Sequence, residues 1–600
     1  MRNRTELLLS GNEAIARGAY EAGVTIAAGY PGTPSSEILE SLAQYDNEVY
    51  CEWGPNEKVA IEVAAGASWV GARSMATMKH VGLNVAADPL MTLSYVGTEG
   101  GLVVVVADDP GMYSSQNEQD SRNYARFAKI PMFEPSDSQE AKDFIIAAFE
   151  LSEKFNTPVI LRSSTRISHG KSVVKPGKRK ASPKKIEFLK NPPKYVAVPS
   201  YARKMRERME KRLAQLRLYV NKCSQNQIIS RGKEVGVVAS GVAFQYAREE
   251  FKEASLLKLG LSYPFPDDLI REFAHNYQEL IVIEELDNFL EEHIRSLGIK
   301  TKGREYFSGI GELNPDRVAQ GHCRLENNGA LIKERKVDEN GISLPARPPM
   351  FCPGCPSRGL FYALSKIDCV VSGDIGCYSL GVFPPYERLD TILCMGAGIT
   401  VAQGMDKAGL RDKPVIGIIG DSTFFHSGIT GLLELSYNKG ISTIVIVDNR
   451  ATAMTGLQEH PGTGRTLMRE KTYTAHPEDF ARACGIKNIH IIDPLDFEQT
   501  LKVLRKEVKK EAASVIVSRR ACVLVERLKK NPLAIDSDKC TQCGRCLKIG
   551  CPAIYRERTN KKAITIDEIL CTGCGFCTQV CPQEAIIPKK IGFYPSSPSL

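Results

Sequence analysis

The chain has 600 residues, 43% hydrophobic and 25% charged, with 49 Gly, 33 Pro and two Trp. That composition excludes a disordered, collagen-like or coiled-coil chain, and at about 150 residues per domain the length allows roughly four domains. Net charge is +8, but 171–213 alone carries fifteen Lys and Arg against three acidic residues, so the remainder is acidic on balance, unlike a nucleic-acid-binding chain. No apolar run approaches the roughly 18–20 residues of a membrane helix. The start, MRNRTELLLSGNEAIARG, turns charged too early for a signal peptide. A cytoplasmic protein is expected.

In chain order, strands alternate with helical stretches, the mark of parallel α/β domains. Residues 24–28 read as a strand ending in the turn 29–34, with Ser35 capping a helix that runs to Leu42. Residues 102–107 (LVVVVA) read as a fully buried strand. The basic stretch reads either as a docking surface for RNA or an acidic partner, or as a solvated linker with one exposed helix at 201–219. The second reading is favoured, because no aromatic residues interleave as stacking platforms. Strands at 236–240 and 280–284 follow, then a Pro-rich boundary at 344–349, then strands at 415–419 and 443–447.

Eighteen Cys are present, and eight fall in the last 61 residues. They form Cys540-x2-Cys543-x2-Cys546-x4-Cys551-Pro552 and Cys571-x2-Cys574-x2-Cys577-x3-Cys581-Pro582. Zinc knuckles use pairs rather than two triplets each followed by Cys-Pro. The tail resembles a bacterial-type two-cluster ferredoxin, with one extra residue in the first Cys-Pro spacing. In such proteins the fourth Cys of each run ligates the other cluster. The resemblance therefore assigns one [4Fe–4S] cluster to Cys540, Cys543, Cys546 and Cys581, and the other to Cys551, Cys571, Cys574 and Cys577. Such clusters imply a reducing, anaerobic setting.

After the strand at 415–419 comes Gly420-Asp421-Ser422, and 28 residues beyond Asp421 comes Asn449. This resembles the thiamine diphosphate motif, with Ser422 in place of its second Gly. Turns at the carboxyl ends of parallel strands suit a diphosphate, and Mg²⁺ takes hard oxygen ligands. The resemblance implies Mg²⁺ ligation by Asp421, Asn449 and the Ala451 carbonyl. Gly376, in the Gly-rich turn GDIGC (373–377), would add to the cofactor cradle. Thiamine enzymes also need a Glu for the aminopyrimidine ring. Glu57, opening a helix of small residues, fits that pattern, with Glu62 as the rival; otherwise Glu57 is a solvated first-turn residue favoured by the helix dipole.

With both halves in place, the chain resembles the alpha subunits of indolepyruvate ferredoxin oxidoreductases, in the 2-oxoacid:ferredoxin oxidoreductase superfamily. The resemblance is carried by GYPGTPSS (29–36), MKHVGLN (78–84), DDPG (108–111), SQNEQD (115–120), the Cys352-Pro-Gly-Cys355 motif, the thiamine motif and the tail. It implies transketolase-like, doubly wound α/β domains plus a C-terminal two-cluster ferredoxin-like α+β domain. The expected division is 1–175 (pyrimidine-binding type), 176–232 (basic linker and helix), 233–340 (transketolase C-terminal type), 341–530 (diphosphate-binding type) and 531–600 (ferredoxin-like). It implies CoA-dependent oxidative decarboxylation of an arylpyruvate to an aryl-acetyl-CoA and CO₂, with electrons passed to ferredoxin, the thiazolium serving as electron sink. The alternatives are another 2-oxoacid, such as pyruvate or 2-oxoglutarate, a non-oxidative decarboxylase, or an inactive electron-transfer scaffold.

A small beta subunit in a dimer of heterodimers is the implied partner, with no nucleic acid or membrane involved. Thr33 lies where relatives contact the 2-oxoacid. Arg122 and His80, then Lys79 and Arg126, are candidates for its carboxylate, and His426 reads as either a site residue or a packed one. Cys352, Cys355, Cys377 and Cys522 are either buried thiols or, by likeness to pyruvate ferredoxin oxidoreductase, ligands of a third [4Fe–4S] cluster.

Overall fold

Residues 102–108 (LVVVVAD) are buried on both sides of the strand Leu102–Asp108, the signature of a central strand covered by helices on each face. In this computed structural model, residues 6–180, 186–327, 349–527, 531–557 and 563–589 are described. They divide into two compact units, Met1–Ile342 with Leu467–Arg469, and Ser343–Thr466 with Glu470–Leu600.

In the first unit, Leu102–Asp108 lies in a seven-stranded sheet. Its order is Leu261–Tyr263, Met132–Phe133, Val159–Ser164, Leu102–Asp108, Ser74–Lys79, Ile26–Gly29, Tyr50–Trp53. All neighbours are parallel except the first pair. The carboxyl ends of the central strands therefore share one edge, the place where open α/β sheets bind ligands. A second sheet, Glu279–Ile283, Val235–Ser240, Ser255–Leu259 and Asn226–Ile229, belongs to the same unit. Leu261–Tyr263, which follows directly on its strand Ser255–Leu259, pairs with the first sheet.

Two local expectations change. The helix Pro199–Val220 is not solvated all round: Met205, Met209, Leu213, Leu216 and Val220 are buried, at the spacing of one helical face. Its other bases are exposed, but Arg212 turns inward to donate to the Asn156 carbonyl at 3.1 Å, and Lys129 pairs with Glu210 at 2.5 Å. Ahead of it, Arg179 donates to the Tyr20 carbonyl at 2.7 Å and stacks over the Tyr20 ring, so the first part of the basic stretch is pinned to the domain. Ser35 precedes the helix Ser36–Leu42, but its hydroxyl does not cap it. It turns back instead, donating to the Gly32 carbonyl at 2.7 Å and bracing the turn 29–34.

In the second unit a five-stranded, all-parallel sheet runs Val370–Ser372, Val415–Gly420, Thr443–Asp448, Ser514–Arg519, Asn488–Ile492. The C-terminal tail adds two short antiparallel pairs, Leu533–Ile535 with Ile586–Pro588 and Ile554–Arg556 with Ile564–Ile566. Ile549, Ile586 and Phe576 of the tail share one core with Leu360 and Phe361 of the helix Ser357–Leu364. Arg358 fastens the two by donating to the Phe351 carbonyl at 2.7 Å and the Ile549 carbonyl at 3.0 Å. The boundary expected at 344–349 lies, apart from Pro349, outside the described residues. No helix among the described residues is long and apolar enough to cross a membrane.

Candidate active site and electron-transfer centre

In the second unit Gly420 is paired with Val447 on parallel strands, so Asp421 and Asn449 leave the same sheet edge side by side. Asp421 is buried. Its Oδ1 accepts from the Ser422 amide at 2.9 Å and its Oδ2 from the Arg450 amide at 2.8 Å. Arg450 holds a φ of 60°, a left-handed backbone that a non-glycine residue adopts at a cost and that gathers at functional loops. The loop closes with Asn449 Oδ1 accepting from the Ala451 amide at 3.1 Å.

The Arg450 guanidinium turns onto Asp448 at 3.2 Å and the Gly462 carbonyl at 2.9 Å. Asp421 and Asn449, whose side-chain oxygens accept these amides, and the Ala451 carbonyl are hard oxygens of the kind Mg²⁺ takes. Gly376 and Gly420 both face Tyr378, and a Cβ on either would meet that ring at 2.5 Å and 3.0 Å. Ser422 fits because its hydroxyl lies 2.8 Å from Thr452 Oγ1. His426 sits in the π-type turn Phe424–Gly428, Nδ1 at 2.9 Å from Ser427 Oγ.

One residue of this site escaped the sequence reading. His460 Nε2 lies 3.2 Å from Asp421 Oδ2, both side chains buried. The Gly462 amide donates to His460 Nδ1 at 3.1 Å, which leaves the proton on Nε2, close to the carboxylate but without a hydrogen bond to it. No motif spacing links His460 to Asp421; a histidine inside the Gly-rich stretch after Asn449 was the available signal. Partners that orient a ligating carboxylate are typically worth about 10–100-fold in metal affinity, so His460→Phe is expected to weaken Mg²⁺ binding by that order. Calorimetric titration of Mg²⁺ with thiamine diphosphate present checks this, and an unchanged affinity would remove the role.

In the first unit the helix Glu57–Trp69 starts at Asn56, whose side chain accepts from the Val59 amide at 3.0 Å. Of its two candidate glutamates, Glu57 is buried, whereas Glu62 is exposed and pairs with Lys58. Gly82 makes room for Glu57: a Cβ there would meet Glu57 Oε1 at 2.5 Å. Lys79, ending the strand Ser74–Lys79, donates to the Ser114 carbonyl at 2.9 Å. Ser114 Oγ in turn lies 3.1 Å from the half-buried Thr33's carbonyl.

Two of the carboxylate candidates are corrected. Arg122 is fully buried and already held, by Asp120 at 2.5 Å, Glu284 at 2.7 Å and the carbonyls of Glu285 and Asp287. It is an internal clamp, not a free anion receptor. Its loss strands two buried carboxylates, so Arg122→Ala is expected to destabilise the unit by about 3–5 kcal/mol, read as a lower denaturation midpoint. His80 is buried, and its Nε2 meets the Asn117 carbonyl at 3.1 Å, which places the proton there. Burial also lowers its pKa, so it stays neutral and offers a carboxylate no second N–H. Arg126 is exposed and lies over the Phe289 ring.

The tail cysteines gather in two sets, as the ferredoxin resemblance implies. Cys551, Cys571, Cys574 and Cys577 line one cavity, and Cys540, Cys543, Cys546 and Cys581 line another. The fourth Cys of each run thus crosses to the other set. Among the described residues no three or more His, Cys, Asp or Glu side chains close tightly enough to hold a metal ion. Thiols spread around a cavity suit a multi-iron cluster better than a lone zinc.

A third gathering is present. Cys377 is pushed up to about 12 by burial and then by the neighbouring Cys355, Cys522 and Cys352. The segments of its neighbours meet both other sites. The Cys522 amide donates to the Asn449 carbonyl at 2.8 Å, and Pro353 and Gly354, between Cys352 and Cys355, line the cavity of Cys551 and its partners.

Comparison with known proteins agrees with this geometry. Residues 17–224 match the thiamine diphosphate-binding family of pyruvate flavodoxin/ferredoxin oxidoreductases, 374–518 the C-terminal binding domain of thiamine pyrophosphate enzymes, and 532–582 a 4Fe–4S dicluster domain. The class is thus that of thiamine-dependent oxidoreductases with a built-in iron–sulfur domain. Indolepyruvate oxidoreductase subunit IorA of Methanothermobacter marburgensis is 40% identical over 92% of this chain and 93% of its own. Those of Archaeoglobus fulgidus and Pyrococcus horikoshii are also 40% identical, over 98% of each chain and 92% of each chain respectively. The chain belongs to the indolepyruvate oxidoreductase subunit IorA family.

Proposed function

We propose that this chain is the thiamine- and iron–sulfur-bearing subunit of an enzyme that oxidatively decarboxylates an arylpyruvate such as indolepyruvate. CoA takes up the acyl group, and ferredoxin takes the electrons. The observation that carries the reading is the continuity of the second unit. The Asn449 loop is bonded to Cys522, the Cys352–Cys355 loop walls the next thiol cavity, and the last set ends in the exposed Cys543. A non-oxidative decarboxylase has no use for such a route.

Bound thiamine diphosphate would supply the electron sink for loss of CO₂. Asp421, Asn449 and the Ala451 carbonyl would hold its Mg²⁺. Gly376, Gly420 and Ser422 would shape the diphosphate cradle, and Glu57 would hold a proton toward the aminopyrimidine ring. Cys352, Cys355, Cys377 and Cys522 would carry a third [4Fe–4S] cluster next to that site. A small partner subunit completes the enzyme, in a dimer of heterodimers.

The test is anaerobic, CoA-dependent viologen reduction by the chain co-expressed with its small subunit. Preference for indolepyruvate and phenylpyruvate over pyruvate and 2-oxoglutarate is expected. Preference for pyruvate would keep the chemistry and overturn the substrate class.

A further inference from the structure

A 2-oxoacid substrate brings a carboxylate to the site, and the structure removes most of the cations that could receive it. Arg122 is consumed by Asp120 and Glu284, His80 is neutral, and Arg126 lies out on the surface. Lys79 differs from all three. It is only 9% exposed and stands at the carboxyl end of a central strand. Its stem runs beneath the turn that carries Thr33: a Cβ on Gly32 would meet Lys79 Cγ and Cδ at 3.1 Å.

Of the three ammonium donors one goes to the Ser114 carbonyl, and Lys79 forms no ion pair with a carboxylate among the described residues. Its nearest acid, Asp109, is already satisfied by the Ser114 amide at 2.8 Å and by the hydroxyls of Ser115 and Thr165 at 2.6 Å and 2.8 Å. Two ammonium N–H groups thus remain without a carboxylate partner among the described residues, on a side chain linked through Ser114 to the Thr33 carbonyl, with Glu57 near enough to be felt electrostatically.

We infer that Lys79 anchors the carboxylate of the 2-oxoacid. This assignment rests on the proposed function and names the residue that function leaves open. A carboxylate that departs as CO₂ loses its charge during reaction. One ammonium, its field moderated by Asp109 and Glu57, orients it without the ground-state grip of a bidentate arginine. Burial lowers Lys79 to about 8, with Asp109 and Glu57 opposing the shift, and the neighbouring His80 has its own pKa lowered by burial. The anchor is therefore charged at neutral pH and is lost as pH rises through that value.

The experiment compares Lys79→Gln and Lys79→Arg with wild type, each in the cofactor-loaded complex with the small subunit. Lys79→Gln is expected to raise the oxoacid KM, and the Ki of an unreactive 3-arylpropanoate, on the order of 10–100-fold. The KM for CoA stays fixed. The wild-type oxoacid KM climbs above about pH 8, and Lys79→Arg, whose charge does not titrate there, flattens that climb. Oxoacid and CoA KM values that shift together, or an arylpropanoate Ki unchanged in Lys79→Gln, overturn the assignment while leaving the function intact. A wild-type complex inactive on every 2-oxoacid overturns both.

Discussion

Glu57→Gln, in the chain assembled with its small subunit, is expected to lower CoA-dependent acceptor reduction by about 10²–10⁴-fold, the usual worth of a positioned proton-transfer group. Gln keeps the shape and loses the ability to take a proton, so iron content and thermal stability should not follow activity down. The surroundings make the test sharp. Glu57 is buried at the first turn of its helix, against the backbone of Gly82, which only a residue without a Cβ allows. Glu62, one turn further along and solvent-exposed, supplies the internal control. Its substitution by Gln should leave kcat within about twofold, as surface changes away from such features usually do. Glu57→Gln at full activity, or both variants equally impaired, would sink the role given to Glu57.

Cys377→Ser is expected to remove one whole cluster. An anaerobically purified wild-type chain with three [4Fe–4S] sites holds about twelve iron, and the variant about eight. Acceptor reduction should be lost with it, because a cluster held there, beside the Asn449 loop, would be the first place electrons could go. The full chain is needed for this measurement. The tail contributes Ile549, Phe576 and Ile586 to the same core as Leu360 and Phe361, and cutting it away would open that core. A wild-type chain with about eight iron, unchanged in Cys377→Ser, would show four free thiols and no third cluster.

The amino-acid sequence alone was enough for the chemistry that depends on spacing. Triplets of Cys two residues apart followed by Cys-Pro pointed to a 4Fe–4S dicluster domain, and Cys551 and Cys581 line opposite cavities, as the ferredoxin resemblance implied. The strand-then-Asp421 and strand-then-Asn449 pattern likewise survives folding, because adjacent parallel strands deliver their following residues to one edge. Long apolar runs such as 102–107 announced their burial by composition.

What the sequence could not decide was which polar side chains remain available. Arg122 and Lys79 are both basic residues within recognisable motifs. Only the fold brings Glu284, 162 residues away, onto Arg122 and leaves Lys79 without such a partner among the described residues. Glu57 and Glu62 lie on one helix, and only packing against Gly82 separates them. The contact between His460 and Asp421 has no local signature, since it depends on where a loop returns. Availability is a property of long-range neighbours and burial, and these exist only once the chain has folded.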